Sequence, residues 1–175
     1  DSAAQGRRIY VTFGTVFNRS PALLVAVRAA VQIGATVVVT IGADGDPSGL
    51  TELGGRVHVQ RFVDQAALLP HCDLVLSHGG AGSLLGAAAH GLPQLILPQA
   101  ADHFRNARAL SVVNAGRTVD PACQTVDAVA ASLSSALRDD TLLACAKLLA
   151  KDMATMPVAG AAAQHLERWC QDSPL

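Results

Sequence analysis

Short apolar runs alternate along most of the chain with longer segments of helical periodicity. Six of the runs predict β-strands, at residues 9–13, 35–41, 57–62, 74–77, 94–97 and 117–119. The remaining segments predict helices at residues 20–33, 64–69, 84–90, 104–113, 126–137, 141–153 and 157–170, with a short helical turn near 50–53. The continuous β-branched run within 35–41 is typical of a strand that is buried on both faces of a parallel sheet.

This alternation predicts an α/β fold: a doubly wound, Rossmann-like parallel sheet of about six strands with helices on both faces. We expect residues 1–175 to form a single domain, because the length suits one buried core and is short for two. Ligands of such sheets bind beyond the carboxyl ends of the strands. Four polar loops follow strands, at 14–15, 62–63, 78–83 and 99–103, so we expect them to meet at one rim.

A glycine-rich stretch, Ser77–Ser83, joins the fourth predicted strand to a helix, and we call it the glycine turn. The first turn of a helix has unpaired backbone N–H groups and a partly positive end, and glycines let an anion approach the backbone closely. The sequence therefore predicts an anion site at this point, with His78 and Ser83 as side-chain donors. Two other interpretations stay open: glycines that serve only tight packing, and a His78 ring satisfied by backbone groups.

Several common sites are excluded by their missing residues. A dinucleotide fingerprint needs G-x-G-x-x-G after the first strand, where this chain has Phe13-Gly14-Thr15. A P-loop needs a Lys after its glycines, whereas Leu84 follows Ser83. A nucleophile elbow, G-x-S-x-G, is also missing around Ser83. The pattern indicates a diphosphate site without an internal nucleophile.

Three further residues are candidates for ligand contacts. The carboxylate of Asp102 and the imidazole of His103 could bond the hydroxyls of a sugar, although Asp102 could equally be only the N-cap of the next helix. The ring of Phe62 could stack on a nucleobase or could belong to the core.

Composition narrows the partners and the compartment. The net charge is −1 and 15% of the residues are charged, which does not favour nucleic acid or a membrane surface as a partner. The four cysteines are far apart and lack metal-site spacing, so we expect reduced thiols in a cytoplasmic protein and no metal. No apolar run is long enough to cross a membrane. Residues 1–8 resemble a linker rather than a signal peptide, and we expect the chain to be a fragment of a longer protein.

The order and spacing of the motifs resemble one family. These motifs are Phe62-Val63-Asp64-Gln65 with Leu68-Leu69, then Asp73 to Ser83, Gly91-Leu92-Pro93, and Pro98 to Ala107. They resemble the C-terminal, donor-binding half of a GT-B glycosyltransferase, and most closely the actinomycete enzymes that glycosylate antibiotics and related natural products. The resemblance covers nearly the whole chain.

The resemblance implies a role for each matching residue. Phe62 would stack on the base, and the backbone of Val63 would read the edge of the base. The sugar would contact Asp102 and His103, with Gln65 and Asn106 in supporting positions. The donor diphosphate would be held by Thr15, His78, Gly79, Gly80, Ala81, Gly82 and Ser83.

Two departures from the plant-type members affect the expected donor. They have Gln where this chain has His103, so a preference for glucose does not carry over. They also have Glu where this chain has Gly86, and that Glu holds both ribose hydroxyls. Since a deoxyribose offers only its 3′-hydroxyl, we expect a dTDP-sugar in preference to a UDP-sugar.

The resemblance also implies an inverting transfer of a deoxysugar to a natural-product acceptor, without a metal or other cofactor. The catalytic base and most of the small-molecule acceptor pocket would lie in the N-terminal, acceptor-binding domain, so no catalytic residue is expected in this chain and the fragment alone should be inactive. Two alternatives remain. One is another GT-B enzyme, such as a GlcNAc transferase or a nucleotide-sugar epimerase, and the other is a non-catalytic nucleotide-sugar-binding auxiliary module.

Overall fold

The computed structural model describes residues 4–157 and 159–172. Six parallel strands form one sheet: β1 (Arg8–Thr12), β2 (Thr36–Thr40), β3 (Val57–Gln60), β4 (Leu74–Ser77), β5 (Gln94–Ile96) and β6 (Gly116–Thr118). The helices are α1 (Pro21–Gln32), α2 (Ser48–Thr51), α3 (Gln65–Leu68), α4 (Ala81–Ala89), α5 (His103–Val112), α6 (Val126–Leu137), α7 (Asp140–Ala154) and α8 (Ala159–Asp172). Short 3₁₀ turns follow α3 and β6, at Leu69–His71 and Pro121–Cys123.

Alternate residues of the strands pack into cores on opposite faces of the sheet. Ile9 and Val11 of β1 belong to a large core that includes buried residues of α1 and α6. Tyr10, between them, belongs to a separate core with Leu69 and Val75. Helices therefore cover both faces, and the predicted doubly wound α/β fold is confirmed.

The strand order is β3-β2-β1-β4-β5-β6. The chain builds outward from β1 to β3, then returns to β4 on the other side of β1 and builds outward again. The order of the strands reverses between β1 and β4, which is where open α/β sheets form a crevice beyond the carboxyl ends of their strands. The loop after β1 and the glycine turn after β4 flank this crevice.

Most element boundaries lie within a few residues of the predicted ones, and two differences affect the site. Helix α4 begins at Ala81 rather than at Leu84, because Gly80 already has the extended conformation of an N-cap. Strand β3 ends at Gln60, so Phe62 lies in a loop and not at the end of a strand. The helix predicted at 157–170 is observed as α8, although its start adjoins a residue outside the described ones, and residues 1–3 of the predicted linker also lie outside them. Among the described helices, none is long and apolar enough to cross a membrane.

Candidate functional site

Two adjoining cavities open at the carboxyl ends of the strands. The smaller one, of about 110 Å³, we call the Phe62 cavity, and the larger one, of about 310 Å³, we call the glycine-turn cavity. Both are lined by Gly14, Thr15 and Ser83, so they form one continuous groove. The Phe62 cavity is also lined by Tyr10, Thr12, Thr40, Gly42, Arg61, Phe62, Val63 and Gln65, and the glycine-turn cavity by Val16, Phe17, His78, Gly80, Ala81, Gly82 and His103.

The wall of the glycine-turn cavity is the start of α4. The predicted loop residues Ala81 to Ser83 are the first three helical residues, and Gly80 is an N-cap without a capping side chain. The N–H groups at such a start have no partner within the helix and point outward from its positive end. Gly79 has a φ of +90°, and a Cβ there would lie 2.8 Å from the Ile96 side chain, so only glycine fits at that point.

His78 lies at the base of this cavity and is 7% exposed. Its ring stacks on Phe13 with centroids 5.8 Å apart, and the ring of His103 meets it edge-on at 4.4 Å. Burial, together with the His103 imidazole, lowers the pKa of His78 from 6.5 to about 4, so the ring is neutral at pH 7. Its buried Nδ1 has no partner within hydrogen-bond geometry among the described residues, and the nearby backbone of Thr12 only partly offsets the lowering of the pKa, so the interpretation of a ring satisfied by the backbone stays open.

The other edge of the His78 ring faces the groove. A Cβ added at Gly80 would lie 2.6 Å from Nε2, and one added at Gly14 would lie 3.3 Å from the same atom. Both glycines therefore leave room for the imidazole. Position 80 has ordinary backbone angles, with a φ of −63°, so the ring and not the backbone conformation requires glycine there.

His103 is 4% exposed and holds the loop after β5. Its Nδ1 accepts the N–H of Gln99 at 3.4 Å and that of Ala100 at 3.2 Å. A nitrogen that accepts carries no proton, so the neutral ring must be protonated on Nε2. Burial lowers the pKa of His103 and favours this neutral form. Only Nε2 is left to contact a ligand.

Asp102 stands at the N-cap position of α5, but its side chain does not cap the helix. The alternative interpretation of Asp102 as a capping residue is therefore wrong. Its carboxylate instead accepts a 2.9 Å hydrogen bond from Nδ2 of Asn106, which also donates to the carbonyl oxygen of Gly79 at 2.9 Å. The bond from Asn106 lowers the pKa of Asp102. Asn106 thus joins Asp102 to the glycine turn.

Phe62 is 64% exposed, which excludes the alternative that it belongs to the core. The neighbouring Val63 is half-buried and packs against the core that contains Tyr10. Arg61 donates to the carbonyl oxygens of Gly42 and Ala43 and so joins the loops after β2 and β3. An exposed aromatic ring thus stands at the mouth of a small cavity.

Three buried hydroxyls form the floor of the Phe62 cavity, and sequence reasoning missed them. Tyr10 Oη lies 3.0 Å from Thr40 Oγ1, and Thr40 Oγ1 donates to Thr12 Oγ1 at 2.9 Å. Nε2 of Gln65 donates to Tyr10 Oη at 3.2 Å. A signal existed, since Thr12 and Thr40 each end a strand of mainly apolar residues.

Two larger cavities lie elsewhere, one of about 530 Å³ between the start of α1 and the loop after β2, and one of about 550 Å³ beside β3 and α3. None of the predicted site residues lines the first, and of them only Val63 lines the second. Within residues 4–157 and 159–172, no three His, Cys, Asp or Glu side chains cluster as ligands for a metal ion. Most of the predicted residues gather in the groove over the β1–β4 crevice, whereas Gly79, Asp102 and Asn106 line neither of its cavities.

The chain is similar to several known proteins. Residues 24–169 match the family described as "Erythromycin biosynthesis protein CIII-like, C-terminal domain". The L-demethylnoviosyl transferase of Streptomyces niveus is 31% identical over 164 residues, which cover 91% of this chain and 43% of that protein.

Two solved structures share the fold. Spinosyn rhamnosyltransferase SpnG, complexed with thymidine diphosphate, is 30% identical with a TM-score of 0.82, over 95% of this chain and 47% of that one. Glycosyltransferase VinC, in complex with dTDP, is 25% identical with a TM-score of 0.81, over 95% of this chain and 42% of that one. The chain spans less than half the length of these relatives. The predicted resemblance is thus confirmed, and the chain belongs to the family of erythromycin biosynthesis protein CIII-like C-terminal domains.

Proposed function

We propose that this chain is the donor-binding half of a glycosyltransferase that moves a deoxysugar from a dTDP-sugar to a natural-product acceptor. One observation carries the proposal: a cavity at the start of α4 adjoins a second cavity with an exposed aromatic ring. The two cavities follow the order of the parts of a nucleoside diphosphate. The diphosphate lies in the glycine-turn cavity and the base lies against Phe62.

The diphosphate is bound mainly by backbone groups. The N–H groups of Ala81, Gly82 and Ser83 point into the cavity from the positive end of α4, and the hydroxyls of Ser83 and Thr15 lie beside them. A neutral His78 donates from Nε2 to a phosphate oxygen. Because these donors are oriented before the ligand arrives, they stabilise the charge that develops on the leaving diphosphate. The proposal invokes no metal.

The sugar lies beyond the diphosphate, near Asp102 and His103. Asn106 donates to Oδ2 of the Asp102 carboxylate, which leaves Oδ1 available for a sugar hydroxyl. His103 offers only its Nε2–H, since Nδ1 is bound to the loop. These contacts orient the anomeric carbon for inverting attack by an acceptor that is deprotonated by the N-terminal half.

The preference for dTDP over UDP follows from position 86. A Cβ at Gly86 would lie 3.2 Å from Oε1 of Gln65, so Gln65 occupies the space that a longer side chain at 86 would need. This leaves position 86 without a carboxylate for the 2′-hydroxyl of a ribose. SpnG and VinC, whose structures hold thymidine diphosphate and dTDP, support a thymidine nucleotide here as well.

Isothermal titration calorimetry with dTDP and UDP tests the proposal. We expect dTDP to bind the 175-residue chain more tightly than UDP. Ser83→Ala should weaken dTDP binding about fivefold, the effect of one hydrogen bond. Ser132→Ala is the matched control, because the Ser132 hydroxyl donates to a carbonyl within α6, outside both cavities. Tighter binding of UDP would refute the choice of donor, and binding of neither nucleotide would refute the proposed function.

A further inference from the structure

The buried hydroxyls under the Phe62 cavity form a hydrogen-bond chain with a fixed direction. Tyr10, Thr12 and Thr40 are 1%, 3% and 7% exposed, so most of each side chain is shielded from water. Each hydroxyl has one proton to donate. Thr40 uses its proton on Thr12, so in the bond between Tyr10 and Thr40 the donor must be Tyr10.

The same count fixes the Gln65 amide. Since the Tyr10 proton is used on Thr40, the Tyr10 oxygen can only accept, and Nε2 of Gln65 is its donor. A flipped amide would place Oε1 against the lone pairs of Tyr10 and lose the bond. The hydroxyl chain therefore decides which end of the Gln65 amide faces Tyr10 and which end faces away from it.

The free end is a hydrogen-bond acceptor beside α4. Oε1 of Gln65 receives no hydrogen bond from any described residue and lies toward Gly86, where a Cβ would be 3.2 Å away. Gln65 lines the Phe62 cavity together with Phe62 and Ser83. In a nucleoside diphosphate the pentose lies between the base and the diphosphate, so a nucleotide with its base at Phe62 and its diphosphate at Ser83 would bring its pentose to the cavity that Gln65 lines.

We propose that Tyr10 is a positioning residue: its hydroxyl, oriented by Thr40 and Thr12, fixes the Gln65 amide so that Oε1 accepts the 3′-hydroxyl of the bound thymidine nucleotide. The inference rests on the proposed function. It makes a buried strand residue part of nucleotide selection although Tyr10 itself makes no contact with the pentose.

The test compares dTDP with 3′-deoxythymidine diphosphate, which lacks only the hydroxyl in question. Calorimetry on the wild-type chain should show about fivefold tighter binding of dTDP. Tyr10→Phe should remove this discrimination by weakening dTDP alone, with 3′-deoxythymidine diphosphate unchanged. Gln65→Ala should do the same, and the double variant Tyr10→Phe/Gln65→Ala should lose no more than Gln65→Ala alone, since Tyr10 acts through Gln65.

A second variant keeps the test informative if Tyr10→Phe does not fold. Thr40→Val is close in shape but leaves the Tyr10 proton without its acceptor, so that proton can turn to Gln65 and reverse the amide. We expect the same selective loss of dTDP affinity. Equal weakening of both nucleotides by Tyr10→Phe or Thr40→Val would show a merely structural role and overturn the inference, as would no change. Wild-type binding without discrimination refutes this inference only, whereas no binding of either nucleotide refutes the proposed function.

Discussion

Two glycines of the glycine turn, Gly80 and Gly82, differ in what a side chain would meet. A Cβ at Gly80 would lie 2.6 Å from Nε2 of His78, whereas a Cβ at Gly82 would meet nothing within 4 Å. Gly82 lies inside α4, where alanine is the better helix former by about 0.5–1 kcal/mol.

We therefore expect the matched substitutions Gly80→Ala and Gly82→Ala to have opposite effects on stability. Gly80→Ala should lower the free energy of unfolding by about 1–3 kcal/mol, because the His78 ring must move in a packed cluster. Gly82→Ala should raise it by up to about 1 kcal/mol. Urea unfolding at pH 7 measures both. Equal effects would show that the His78 ring does not require glycine at position 80.

The lowered pKa of His78 predicts that the free energy of unfolding depends on pH. Its pKa is about 4 in the folded chain and 6.5 when unfolded, so between these values the unfolded chain binds a proton that the folded chain does not. The contribution of a neutral His78 to the free energy of unfolding is therefore fully present above pH 6.5 and falls as the pH drops toward 4. Between pH 7 and pH 5 we expect this residue to account for a loss of about 2 kcal/mol.

Urea titrations of wild type and His78→Asn at pH 7 and pH 5 measure this contribution. The variant should lose less stability than wild type over that interval, whatever its stability at pH 7. The control, His58→Gln, changes an exposed histidine on β3 and should retain the wild-type dependence. An unchanged slope in His78→Asn would contradict a neutral, buried His78.

At the scale of elements, Ser20 connects the start of α1 to the loop after β5. Its Oγ accepts the N–H of Ala22 at 3.3 Å as an N-cap and donates to Oε1 of Gln99 at 2.8 Å. Gln99 in turn donates to Oε1 of Gln124 at 2.9 Å. The segment that carries Asp102 and His103 is therefore held by a helix from the other half of the sheet.

Two substitutions at Ser20 separate the cap from this connection. Ser20→Ala should lower the free energy of unfolding by about 1 kcal/mol, since it removes the cap and the bond to Gln99. Ser20→Asp keeps a capping acceptor but cannot donate to Gln99, so it should restore helix stability without restoring the connection. Thermal unfolding measures the first effect. If Ser20→Asp is no more stable than Ser20→Ala, the cap contributes nothing measurable.

At the scale of the whole molecule, the proposed function makes the groove one half of an active site. The chain spans 43% of its relative from Streptomyces niveus. In the proposed function, the catalytic base that deprotonates the acceptor belongs to the other half. We expect the isolated chain to bind dTDP but to transfer no sugar from a dTDP-sugar to any acceptor. A coupled assay for released dTDP measures the transfer. Binding of dTDP to the same preparation is the positive control. Sustained transfer by the chain alone would contradict the proposed division of roles.

The sequence predicts the strands and the gathering of Phe62, His78 and Ser83 at one edge, because carboxyl ends of parallel strands share an edge whatever their order. It does not predict the pairing of Tyr10 with Thr40. That contact depends on β1 lying beside β2 in this register, and the alternation of strands and helices does not specify it. The sequence places the start of α4 three residues late, because glycines disfavour a helix and Gly80 and Gly82 lie where this helix begins.

The hydroxyl chain under the Phe62 cavity has a spectroscopic consequence. A hydroxyl proton that is buried and donated to a fixed acceptor exchanges slowly with water, so those of Tyr10 and Thr40 should give resolved proton resonances where exposed hydroxyls give none. Their chemical shifts report on the bond from Gln65 at the end of the chain. These protons are internal probes of nucleotide binding that need no label on the ligand.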